Sequence, residues 1–96
     1  MIGSFGDKAT EDIFNGVNSK EARSIPRSIW NTASRKLDLV NAAISVEDLR
    51  VPPGNRLEAL KGDLKGSSSI RVNDQYRIVF TWPESRPEQV RIMDYH

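Results

Sequence analysis

The stretch Ser69-Ile70-Arg71-Val72-Asn73-Asp74-Gln75-Tyr76-Arg77-Ile78-Val79-Phe80-Thr81-Trp82 decides the fold of this 96-residue chain. Apolar and polar side chains alternate through 69–73 and again through 76–82, which is the period of a pleated strand. Asn73-Asp74-Gln75 between the two runs is a hairpin-sized connection made of turn-favouring residues. Two further alternating runs flank this pair, at 56–60 and 89–95, joined to it through Gly62-Asp63-Leu64-Lys65-Gly66 and through residues 83–87. Connections this short pair the strands antiparallel. Alternation then sorts the side chains into two sets. Ile70, Val72, Ile78, Phe80, Val90 and Ile92 are expected on a buried face, and Arg71, Asn73, Arg77, Arg91 and Tyr95 on the opposite one.

Upstream of residue 56 the period lengthens. Ile29, Trp30, Ala33, Leu37 and Val40 recur every three or four residues, the stripe of an amphipathic helix, and Pro26 suits its first turn. Asp7 is placed to cap an earlier helix that runs through Ile13 and Phe14 and stops at Gly16. Ile2 to Phe5 reads as a short strand, and Val51-Pro52-Pro53-Gly54-Asn55 as a turn, because two prolines and a glycine do not continue a helix. Trp30 and Trp82 are expected at the core or its edge. The resulting fold class is α+β, two N-terminal helices packed on one face of a mainly antiparallel sheet, with residues 1–96 forming one domain.

Composition excludes many chemistries. With no Cys there is no disulfide framework and no thiolate nucleophile, and one His does not make a multi-histidine metal site. No cofactor and no metal are expected, since the glycine-rich phosphate loops and the HExxH and GxSxG signatures are all missing. The apolar runs are too short to span a membrane, no leader sequence is evident, and the cysteine-free composition fits a reducing cytoplasm.

Charge is unevenly spread. The 14 Lys+Arg and 13 Asp+Glu nearly cancel, yet residues 50–77 hold Arg50, Arg56, Lys61, Lys65, Arg71 and Arg77 against Glu58, Asp63 and Asp74. A basic band of this kind suits either a phosphate-bearing partner or a solvated surface. The outer face, with a phenol and the terminal imidazole His96 at its edge, is suited to phosphodiester cleavage. That reaction needs a 2′-hydroxyl deprotonated, charge on the phosphorane stabilised and the leaving 5′-oxygen protonated. Residues alone leave plainer roles open: Arg77 as a strand residue paired with a carboxylate, Lys61 as part of a turn, Tyr95 as packing surface and His96 as a frayed end.

Leu49-Arg50-Val51-Pro52-Pro53-Gly54-Asn55-Arg56-Leu57, Leu60-Lys61-Gly62-Asp63, the hairpin quoted above and the ending Asp94-Tyr95-His96 recur in order in a known family. Together with Leu37-Asp38-Leu39-Val40-Asn41-Ala42-Ala43, they make the chain resemble the HigB branch of the RelE/ParE toxin superfamily over nearly its whole length. The resemblance implies a RelE-like fold and a ribosome-dependent messenger-RNA endonuclease that inhibits translation by 2′-hydroxyl attack. It also implies a HigA-type helix-turn-helix antitoxin, with DNA engaged only indirectly through the complex. Carried over residue by residue, it gives Arg77, His96, Tyr95 and Lys61 as catalytic positions, with Arg71, Arg91, Asn73 and Arg56 as RNA contacts. Arg77 would stabilise the phosphorane, Lys61 would assist or hold the backbone phosphate, and Tyr95 and His96 would share proton transfer.

One departure is visible. Some members carry a histidine three residues before the lysine, where this chain has Glu58. Two other functions fit the same scaffold: a ParE-like DNA gyrase inhibitor, in which the basic site residues would be missing, and a non-catalytic nucleic-acid-binding module, in which all the arginines would count equally.

Overall fold

The structure, a computed structural model, describes residues 1–95. His96, one of the expected catalytic positions, lies outside the described residues. Asp7 accepts a hydrogen bond from the Thr10 amide and starts helix α1, Lys8–Asn15. Gly16 ends it in the left-handed conformation (φ 75°), where its amide reaches the Asp12 and Ile13 carbonyls. After Pro26 a single 3₁₀ turn leads into helix α2, Trp30–Ala42, whose buried residues Ala33, Leu37 and Val40 are those of the expected stripe.

Four strands follow: β1 Glu58–Ala59, β2 Ser67–Arg71, β3 Tyr76–Thr81 and β4 Glu88–Asp94. They form one sheet in the order β1-β2-β3-β4, every neighbour antiparallel. The hairpin turn is built by Asn73, whose side-chain oxygen accepts from the amides of Gln75 (2.9 Å) and Tyr76 (2.7 Å). Ile70, Val72, Ile78, Phe80, Val90 and Ile92 form one buried cluster with Ile13, Ala33, Leu37 and Val40, so both helices cover the same face of the sheet. Trp30 and Trp82 pack at the margin of this core.

Three expectations need correction. The helices are not a pair at the N-terminus: an extended segment precedes α1, and the long helix α2 lies mid-chain. That segment, Ile2 to Phe5, is not a regular strand. It runs parallel beside β4 through the hydrogen bonds Gly3 N–H to Pro87 O, Val90 N–H to Ser4 O and Gly6 N–H to Val90 O, with a single bridge at Phe5 and Val90. The 56–60 run likewise contracts to two paired residues, because Arg56 sits in the left-handed region (φ 47°) and breaks the extended backbone.

Candidate functional site

The second face of the sheet is read off the register. Glu58 pairs with Ser69, Ser69 with Val79 and Val79 with Arg91; Arg71 pairs with Arg77 and Arg77 with Met93. Directly opposed residues share a face, so Glu58, Ser69, Arg71, Arg77, Val79, Arg91 and Met93 lie away from the helices. This side has its own small apolar floor. Leu60 and Val79 are 5% and 2% exposed and stand apart from the helix-facing cluster.

Arg77 is the most tightly held cation on this face. Its Nε donates to Ser69 Oγ at 2.7 Å, and its Nη2 donates to the Arg56 carbonyl at 2.6 Å and more weakly to the Ser69 carbonyl at 3.4 Å. All three acceptors are uncharged. Among the described residues the ion pairs are Lys8–Asp12, Arg50–Glu47, Arg71–Asp74 and Arg86–Glu88, and Arg77 is in none of them. A guanidinium fixed by neutral acceptors keeps its charge available to an incoming anion, with part of its donor fork unused.

Lys61 and Tyr95 meet at one place. Together with Glu58, Ala59 and Leu60 they line an open depression of about 420 Å³ at the end of β1. Lys61 is exposed and precedes the 3₁₀ turn Gly62–Leu64. Tyr95, 37% exposed, is held by its amide, which donates to the Gln75 carbonyl at 2.6 Å. Arg77 does not line this depression; it lies on the same face of the sheet, tied to Ser69, the register partner of Glu58. Three of the four expected catalytic positions thus lie on one side of the sheet, beside a carboxylate, Glu58, that the sequence reading noted only as a departure. Its place opposite Ser69, the residue that holds Arg77, depends on the β1–β2 register, which no local pattern encodes.

The expected RNA contacts are more scattered. Arg71 pairs with Asp74 and Asn73 builds the hairpin turn. Arg56 is exposed and contributes its carbonyl to Arg77. Arg91 lines a separate depression with Asp63, Leu64, Ser67 and Gln89. No group of three or more His, Cys, Asp or Glu side chains able to hold a metal ion occurs among the described residues. No helix among them is long and apolar enough to cross a membrane.

Residues 3–96 match the model of the HigB-like toxin family, described as the RelE-like toxin of the type II toxin–antitoxin system HigB. The chain belongs to the HigB-like toxin family. It is 51% identical over 82 residues to Toxin HigB-1 of Vibrio cholerae, covering 85% of this chain and 84% of that one. An uncharacterised protein of Haemophilus influenzae is 41% identical over 58 residues, 60% of this chain and 57% of its own. In fold, this HigB-like chain is similar to a chain of the YoeB-YefM complex from Staphylococcus aureus. The TM-score is 0.61 at 21% identity, over 100% of this chain and 95% of that one.

Proposed function

We propose that this HigB-like toxin is a ribosome-dependent messenger-RNA endonuclease that a HigA-type antitoxin neutralises. The observation that carries the reading is that Lys61, Tyr95 and Glu58 line one open depression on the face of the sheet that also carries Arg77, a guanidinium held by uncharged acceptors. A site this exposed holds one phosphodiester but does not enclose a messenger, so orientation of the strand falls to the ribosome.

In this mechanism the 2′-oxygen attacks the adjacent phosphorus, the 2′-O–P bond forms and the P–O5′ bond breaks. The products are a 2′,3′-cyclic phosphate and a 5′-hydroxyl end. Glu58 or His96 accepts the 2′-hydroxyl proton, and Tyr95 or His96 returns a proton to the 5′-oxygen. Arg77 and Lys61 hold the negative charge that grows on the phosphorane. The test is incubation of the full chain with translating ribosomes and end-labelled messenger, beside a gyrase supercoiling assay. Cuts that appear only with ribosomes support the nuclease; loss of supercoiling without cuts replaces it with gyrase poisoning.

A further inference from the structure

Arg77 is held from a distance. Asn55 is fully buried at the end of the Val51–Asn55 turn, its amide donating to the carbonyls of Leu49 (3.2 Å) and Val51 (3.3 Å). The other polar atom of its side chain, Oδ1, accepts from the ammonium of Lys36, which reaches across from α2. Without that lysine the carbonyl oxygen would be a buried acceptor with no partner. The residue after Asn55 is Arg56, in the left-handed conformation (φ 47°, ψ 56°) that a residue with a Cβ adopts only when its surroundings impose it. This backbone setting delivers the Arg56 carbonyl to Nη2 of Arg77.

We propose that Lys36 and Asn55 are positioning residues: through the Arg56 carbonyl they set the orientation of the Arg77 guanidinium from helix α2. Three links make the relay, Lys36 to Asn55, Asn55 to the turn that ends at Arg56, and Arg56 to Arg77. Neither Lys36 nor Asn55 lines the Lys61–Tyr95 depression, so neither needs to touch a substrate. Burial lowers the pKa of Lys36, and the neighbouring cations Arg35 and Arg71 lower it further, so its place beside Asn55 is held against an electrostatic cost.

The bearing of this relay on cleavage rests on the nuclease reading; its bearing on Arg77 does not. The experiment therefore carries two readouts on Lys36→Met, in the wild-type chain and in an Arg77→Ala background. The first is the Nε–H resonance of Arg77 in labelled protein. It should shift and lose exchange protection in Lys36→Met, while the amide spectrum of β2 to β4 stays in place. The second is ribosome-dependent cleavage, where Lys36→Met should lower kcat about tenfold, leave KM unchanged and have no further effect once Arg77 is alanine. An Arg77 resonance unmoved by Lys36→Met, or effects of the two substitutions that multiply, overturns the relay. If the wild-type chain cuts nothing, the nuclease reading fails and the Arg77 resonance alone decides. Asn55→Ala, which breaks the same relay at its middle, should reproduce the Arg77 shift; a folded Asn55→Ala with an unchanged resonance also overturns it.

Discussion

The two faces of the sheet are made by alternate residues of the same strands and obey different physics. Toward the helices, Ile70, Ile78, Phe80 and Val90 are 0–1% exposed and make one closed apolar cluster with α2. On the other side, the polar residues Ser69 and Arg77 are tied to one another over a small floor that, among the described residues, consists of the buried apolar side chains Leu60 and Val79. The first face holds the fold together; the second has uncompensated charge and an open depression. A single hairpin therefore carries the apolar core on one side and the proposed site on the other, and substitutions one residue apart should affect different measurements.

The largest expected effect lies on the closed face. Phe80→Ala should destabilise the domain by about 3–5 kcal/mol, read as a lowered melting temperature or loss of the folded state, because the cavity has no route to collapse between α2 and the sheet. Arg77→Ala, three residues earlier on the open face, should cost about 3 kcal/mol of transition-state stabilisation in the cleavage assay. Its thermal unfolding should stay close to wild type. A large fall in melting temperature for Arg77→Ala would erase the distinction between the faces. Deleting His96 sharpens the same contrast from the chain end, with an expected loss of at least about a hundredfold in cleavage and unchanged folding, the scale of a general acid or base.

Helix α1 is joined to the closed face by a smaller polar link. Thr10 is fully buried, and its hydroxyl accepts from the Ile92 amide at 2.9 Å. Thr10→Val keeps the shape and leaves that amide unsatisfied, an expected loss of about 1–3 kcal/mol by denaturant titration with no effect on the chemistry. The smallest effect is a pH dependence near α1. The Ser19 hydroxyl, and after it Lys8, hold the Asp12 carboxyl below its ordinary value despite burial. The unfolded chain then binds more protons in the acid range, so this contribution is complete above about pH 4 and fades as the pH falls further. Asp12→Asn should flatten the acid slope of the melting temperature; an unchanged slope assigns it to other carboxylates.

Much of this was legible in the residues. Alternation identified β2, β3 and β4 because both of their faces are chemically distinct, and Asp7 and Gly16 bracketed α1 because capping is local. What stayed hidden depends on long-range pairing. Ile2 to Phe5 carries no signal of whether it lies parallel or antiparallel to β4, some 85 residues away. Glu58 is an exposed acid whose place opposite Ser69, the residue that holds Arg77, appears only with the β1–β2 register. Asn55 reads as a turn residue, and its burial against Lys36 is visible only once α2 is packed. The parity that put Arg77 and Arg91 on one face was right, but it did not separate them: Arg77 is tied to Ser69 and the Arg56 carbonyl, and Arg91 lines a depression distinct from that of Lys61 and Tyr95.

That separation offers the most direct test of the account. Ribosome-dependent cleavage rates compared among Lys61→Ala, Arg77→Ala, Arg71→Ala and Arg91→Ala distinguish a built phosphodiester site from a diffuse cationic surface. The site predicts losses of about a hundredfold for Arg77→Ala and Lys61→Ala and only severalfold for Arg71→Ala and Arg91→Ala. Equal losses across all four would contradict it.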